Sequence, residues 1–105
     1  MSELDRLADQ HIRESAAQLQ HVDELMAKAK QARAQRTLAS EQESVLTRLE
    51  QQHSQASQDL QLLGGLPKPA TADTVARSEG VKGVLQTIGL ELEKTLAAVI
   101  GGNKG

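Results

Sequence analysis

The sequence predicts an all-α protein, and three observations carry this prediction. None of the first 63 of the 105 residues is glycine or proline, and all eight glycines and both prolines lie from Gly64 onward. In a helix interior, glycine costs about 1 kcal/mol and proline about 3 kcal/mol relative to alanine, so this stretch permits long helices. It is rich in Ala, Leu, Gln, Glu, Lys and Arg, which lose little side-chain entropy in a helix. Its apolar residues recur at steps of three and four, which is the spacing of one helix face.

The first predicted helix begins at Ser2. The Ser-x-x-acid pattern of Ser2 and Asp5 resembles a capping box. The apolar face of this helix is a stripe interrupted by one histidine and one serine: Leu4, Ala8, Ile12, Leu19, Val22, Met26 and Ala29, with Leu7 and Leu25 at its edge and His11 and Ser15 as the interruptions.

The apolar stripe changes phase between about residues 32 and 40. Continued in phase, the first stripe would run through polar residues, and a second stripe begins instead: Leu38, Val45, Leu49, Ala56, Leu60 and Leu63. The change favours a turn near residues 33–40 and an antiparallel helical hairpin over residues 1–63. Ser40 and Glu43 would form a capping box for the second helix. No glycine or proline enforces the turn, so one helix of about sixty residues with a stutter is the alternative.

A linker is predicted at residues 64–72. Gly64 and Gly65 end the second helix, and Pro67 and Pro69 favour extended backbone. The linker leads into a C-terminal helical segment whose amphipathic face has helical spacing: Val81, Leu85, Ile88, Leu92, Leu96 and Val99.

The C-terminal segment is predicted at residues 73–100, with Thr71 or Asp73 as its cap and residues 101–105 as a flexible tail. Three glycines interrupt this segment: Gly80, Gly83 and Gly89. We interpret them as a kink, or as a short helix followed by a longer one, in preference to close approach of the backbone to a packed neighbour.

The composition predicts a thin core. The chain has no Phe, Tyr or Trp and is 38% apolar, so Leu, Val, Ile, Met and Ala must build the interior. Small chains also bury a smaller fraction of their surface. Both facts favour a three-helix bundle that associates with itself or a partner, or an oligomeric coiled-coil-like bundle. A homo-oligomer is therefore expected.

Charge and motifs exclude several function classes. There is no cysteine, which excludes disulfides, thiol catalysis and thiolate metal sites. The net charge is -2, and no segment has the basic excess typical of nucleic-acid binding.

The longest apolar run, residues 96–100, is far shorter than the ~20 residues of a membrane-spanning helix. The start of the chain does not resemble a signal peptide. No catalytic motif occurs, so we expect a cytoplasmic protein that is not an enzyme and has no cofactor.

Histidines and carboxylates one helical turn apart offer a metal-binding alternative. Glu50 and His53 have the Glu-x-x-His order of ferritin-like di-iron sites, which build two such pairs into a bundle. His53 falls on the second apolar stripe while Glu50 lies to one side, which favours a partly buried histidine with one hydrogen bond. The pairs His11 with Glu14, and His21 with Glu24, have the same spacing and are equally open to chance.

A basic cluster offers a second alternative, a nucleic-acid-associated helical protein. Lys28, Lys30, Arg33 and Arg36 close the first helix. Their side chains spread over about half of the helix circumference, and no aromatic side chain is present to stack on bases. Cations at a helix C-terminus explain the cluster without a ligand, so a nucleic-acid partner is unlikely.

The remaining interpretation is a helical protein–protein interaction module, such as an adaptor, small chaperone or assembly factor. The apolar face of the C-terminal segment, from Val81 to Val99, is the candidate partner-binding surface, because an amphipathic helix docks in an apolar groove. The same face packed within its own chain is the other possibility.

Overall fold

The fold is a bundle of three α-helices, in a computed structural model that describes residues 3–66 and 69–101. Helix α1 spans Glu3–Gln35, α2 spans Ser40–Gly64 and α3 spans Ala72–Gly101, and no strand occurs in the described residues. This confirms the all-α prediction. Ser2 as a helix start, Pro67 in the linker and residues 102–105 of the tail lie outside the described residues.

The three helices run up, down and up. Arg33 of α1 contacts Glu43 and Glu50 of α2, so these helices are antiparallel. His11 of α1 contacts Ser78 near the start of α3, and Arg36 contacts Val99 near its end, so α1 and α3 are parallel. The most extensive contact in the bundle joins α1 and α3. The molecule is a rod of 56 × 19 × 17 Å.

Residues 36–39 form the turn between α1 and α2. The hairpin, and not the single long helix, is therefore the observed arrangement. The N-cap of α2 is Ala39, one residue earlier than expected from Ser40. The Gln42 side chain accepts the Ala39 backbone N–H at 3.1 Å. Alanine has no side-chain acceptor to return that bond, so Gln42 makes half of a capping box and Glu43 is not part of it.

Thr71, one of the two expected caps, begins α3 together with Thr74. The Thr71 hydroxyl accepts the backbone N–H of Thr74 at 3.2 Å, and the Thr74 hydroxyl accepts the backbone N–H of Thr71 at 3.3 Å. Just before this cap, the Ala70 N–H donates to the Asp5 carboxylate at 2.6 Å. The start of α3 is thereby held against the start of α1.

The core is aliphatic and draws on all three helices. Its buried members are Val22, Leu25, Met26 and Ala29 from α1, Leu46, Leu49 and Ala56 from α2, and Leu85, Ile88, Leu92 and Leu96 from α3. Leu46 is 1% exposed although it lies outside the predicted second stripe. Leu4, which opens the predicted first stripe, is 36% exposed.

Glycines do not divide α3, which is one helix from Ala72 to Gly101. The expectation of a short helix followed by a longer one is therefore wrong. A Cβ atom added at Gly89 would lie 2.6 Å from Nε2 of Gln18 and 3.7 Å from Cγ2 of Val22. At Gly89, where α3 approaches α1, a Cβ atom would therefore require the flexible end of the Gln18 side chain to move. Gly80 and Gly83 have no such neighbour within 4 Å.

Replacing Gly83 by alanine is expected to stabilise the protein by about 1 kcal/mol, because an interior helix glycine gains helix propensity without meeting any atom. Urea unfolding followed by far-UV circular dichroism measures the change. Gly89→Ala is the matched comparison, and it should gain less because its Cβ must displace the Gln18 amide. A loss of stability in Gly83→Ala would contradict the prediction.

Candidate functional site

The predicted partner-binding face of α3 lies inside the bundle. Leu85, Ile88 and Leu92 are 0% exposed, Leu96 and Val99 are also buried, and Val81 is partly buried against the core. These side chains pack within the chain in this structure. A role in binding a partner stays a prediction, and it would require α3 to leave the bundle.

An apolar groove lies between the C-terminal half of α2 and the N-terminal half of α3. We call it the α2–α3 groove, and its volume is about 550 Å³. Its lining is mostly aliphatic or glycine, with four polar residues: Ala56, Leu62, Leu63, Leu66, Gly80, Val81 and Val84, with Gln52, Gln55, Asp59 and Arg77. Val81 is the single member of the predicted partner-binding face that reaches this groove.

Two large aliphatic side chains of the groove are exposed to solvent. Leu62 of α2 is 70% exposed and Val84 of α3 is 47% exposed. Single exposed aliphatic residues are ordinary on a protein surface. Here an exposed aliphatic side chain lies on each of the two walls of one apolar groove. This pairing makes the groove the candidate site.

Sequence reasoning did not find Leu62 and Val84 because each lies one residue away from an apolar stripe. Leu62 precedes Leu63 and Val84 precedes Leu85. One residue is a rotation of about 100° around a helix, so periodicity assigns both to solvent. One feature of the sequence could have indicated them: α2 and α3 each carry an aliphatic residue, Leu62 or Val84, in addition to those that form the buried face of the helix.

The charges on the groove walls are balanced. Asp59 on α2 accepts a hydrogen bond from Gln55 at 3.0 Å, and Arg77 on α3 pairs with Asp73 at 3.0 Å. Each contact stays on its own helix. The groove therefore presents one acid and one base, without an excess of either sign, around an aliphatic lining.

The Glu50 and His53 pair is divided between two contacts. Glu50 Oε1 accepts a hydrogen bond from Arg33 Nη1 at 2.7 Å, and His53 Nε2 lies 2.5 Å from Asp23 Oδ1. Among residues 3–66 and 69–101, no three His, Cys, Asp or Glu side chains are grouped as a metal ion would require. The contact of His53 with Asp23 fits the interpretation of a partly buried histidine with one hydrogen bond.

Each of the other two histidines joins α1 to α3. His21 Nε2 lies 3.0 Å from Glu93 Oε1, and His11 Nδ1 lies 3.1 Å from Ser78 Oγ. Ser78 is 0% exposed and donates its hydroxyl proton to the Val75 carbonyl at 2.8 Å. It therefore accepts the proton of His11. The buried serine thus joins α1 to α3 through His11.

Glu14, which lies one helical turn from His11, bonds to α3. Its carboxylate accepts a hydrogen bond from Lys82 Nζ at 3.0 Å, and this bond lowers the pKa of Glu14 below its ordinary value. The His11 and Glu14 pair is thus separated into two contacts with different residues of α3.

Half of the basic cluster at the end of α1 is used within the fold. Arg33 donates to Glu50, to Glu43 at 2.6 Å and to Thr47 at 3.1 Å, and the bonds to the two carboxylates, Glu50 first, raise its pKa. Arg36 Nη1 donates to the Val99 carbonyl at 2.9 Å, in the last turn of α3. Arg33 fixes the hairpin, and Arg36 satisfies a carbonyl at the C-terminal end of α3.

Comparisons with protein-family models, curated proteins and solved structures found no match to this chain. Its function has to be argued from its own residues. In the described part of the chain, no helix has the length and apolar character needed to cross a lipid bilayer.

Proposed function

We propose that this chain is a non-enzymatic, cytoplasmic protein–protein interaction module, an adaptor, small chaperone or assembly factor, that docks through the α2–α3 groove. The supporting observation is the pair of exposed aliphatic side chains, Leu62 and Val84, on opposite walls of one groove.

The size and chemistry of the groove fit a helix of a protein partner. Its volume of about 550 Å³ is in the range of about 300–1,000 Å³ found for binding clefts. An amphipathic helix binds such a groove through aliphatic residues at i, i+3 or i+4, and i+7. The balanced charges of Asp59 and Arg77 suit a partner surface with little net charge.

The metal and nucleic-acid alternatives have weaker support. Glu50 and His53 bond to Arg33 and Asp23, and Arg33 and Arg36 bond to groups of this chain. Each of these side chains has a role in the fold that requires no ligand.

A capture experiment with matched variants tests the proposed function. Tagged full-length protein is expressed in its native host, and captured proteins, including untagged copies of the chain, are identified by mass spectrometry. Leu62→Gln and Val84→Gln should lose a partner that the unaltered protein retains. Leu90→Gln is the control, because Leu90 is 65% exposed on α3 but does not line the groove.

Thermal unfolding of each variant verifies that the fold is intact. Equal capture by the unaltered protein and by both groove variants would overturn the proposal. The proposal would also be overturned if the tagged protein captured neither another protein nor an untagged copy of the chain.

A further inference from the structure

One ion pair indicates which residues of α2 and α3 lie at the same height along the helix axes, and so which residues face each other across the groove. Arg48 Nη2 of α2 lies 2.6 Å from Glu91 Oε2 of α3, which places these two residues within side-chain reach of each other on antiparallel helices. Asp59 and Gly80 each lie eleven residues from that pair toward the groove, so they are at the same level. By the same count, Leu62 is level with Arg77, one turn further along.

This pairing makes the groove complementary to itself. A two-fold axis running along the groove would place α2 of one copy over α3 of the other. Asp59 would then face the other copy's α3 within one turn of Arg77. Leu62 points back toward the N-terminus of α2, as helix side chains do, and so toward the level of Gly80.

We propose that the occupant of the α2–α3 groove is the same groove of a second copy of this chain. The inference rests on the proposed function and names the partner of that surface. In a two-fold dimer the same patch is used on both subunits and must complement itself. One acid and one base on opposite walls meet this requirement. A strongly acidic or basic peptide would instead need walls of a single opposite sign.

Gly80 leaves room on the α3 wall for a side chain of the second copy. It lies in the interior of α3, where glycine lowers helix stability, and no atom of its own chain lies within 4 Å of where its Cβ would be. The α3 wall of the groove is therefore open at this level, as α3 also is at Gly83 outside the groove. In the proposed dimer, Leu62 of the second copy would occupy this space.

The shape of the molecule allows a contact of sufficient area. A stable interface buries about 800 Å² on each partner. The rod is 56 Å long and 19 Å wide, so two copies lying side by side reach that area when their contact extends along the rod beyond the groove.

Sedimentation equilibrium of the full chain over a wide concentration range tests the inference. The unaltered protein should be a dimer that dissociates on dilution. Asp59→Arg and Arg77→Asp should each raise the dimer Kd by about tenfold or more, because each places like charges opposite one another. The double variant should recover a Kd within about threefold of the unaltered protein, because the attraction is restored with exchanged signs.

Gly80→Leu keeps the test independent of charge and of folding. The position has open space, so the variant is expected to fold, and the added side chain should raise the Kd by filling the groove. Gly83→Leu is its matched control, since Gly83 is equally open but does not line the groove. It should leave the Kd unchanged.

Three results would overturn the inference. The first is a monomer at every concentration, the second is a dimer whose Kd ignores Gly80→Leu and the charge reversals, and the third is failure of the double reversal to restore association. A monomer that still captures a foreign protein through Leu62 and Val84 would overturn this inference alone and leave the proposed function standing.

Discussion

Leu92→Ala is expected to lower the free energy of unfolding by about 2–5 kcal/mol. Leu92 is 0% exposed and belongs to the buried cluster that all three helices share. Truncation removes buried apolar surface and leaves a cavity that straight helices cannot close completely. The loss is a large part of the ~5–15 kcal/mol by which small proteins are stable. Because no aromatic residue is present to report by fluorescence, far-UV circular dichroism during urea unfolding is the suitable measurement.

Leu90→Ala is the matched control for this experiment. Leu90 is two residues away on the same helix and is 65% exposed, so the same truncation should change stability by about 0.5 kcal/mol or less. Equal effects at the two positions would show that the described packing of α3 is wrong. In that case the face from Val81 to Val99 would be available to a partner, as first predicted from the sequence.

Ser15→Ala is expected to stabilise the protein by about 1–3 kcal/mol. Ser15 is 0% exposed, and its hydroxyl is the buried side-chain group that lacks a hydrogen-bond partner in the described residues. A buried hydroxyl without a partner loses its bonds to water and gains nothing in return. Alanine removes that cost and is also the better helix former.

Ser78→Ala is the informative counterpart, because the two serines are equally buried. Ser78 accepts a hydrogen bond from His11 and donates one to the Val75 carbonyl. Its replacement should therefore lower stability by about 1 kcal/mol, since the partly buried His11 loses its partner. Urea unfolding of both variants measures whether each substitution raises or lowers the free energy of unfolding. A loss of stability in Ser15→Ala would show that the hydroxyl of Ser15 has a partner after all.

We expect the core and the groove to respond to different substitutions, so that the proposed function and the folding can be tested separately. The buried α3 residues such as Leu92 stabilise the bundle, whereas Leu62 and Val84 are exposed to solvent at the groove. Changes at Leu62 or Val84 should affect association with little effect on unfolding. Changes at Leu92 should lower the free energy of unfolding, and they should affect association only where they unfold the bundle and so remove the groove.

The amino-acid sequence by itself predicted the helical class, favoured a break between the first two helices and offered Thr71 as one of two caps for the third. The change of phase near residue 36 reveals the turn because each helix must direct one apolar face inward. Thr71 is one of the two caps that the sequence offers for α3, and in the structure its hydroxyl accepts the backbone N–H of Thr74, three residues away. These are local effects, and local spacing is what a sequence displays directly.

The tertiary structure alone decided which helices lie together and what each remaining side chain does. The parallel contact of α1 with α3 gives His11, Glu14 and His21 their partners, which lie 67, 68 and 72 residues away. No spacing rule connects residues so far apart. Contact with the Gln18 side chain likewise distinguishes Gly89 from Gly80 and Gly83, which look alike in the sequence.

The candidate site shows the same division. Periodicity gave the buried face of α3 correctly as a stripe, but a stripe does not indicate whether it faces its own chain or a partner. The α2–α3 groove is formed where two helix surfaces meet, and its exposed residues Leu62 and Val84 lie off both stripes. The pattern within each helix is set by its own sequence, while a groove between helices exists only once their packing fixes which surfaces remain uncovered.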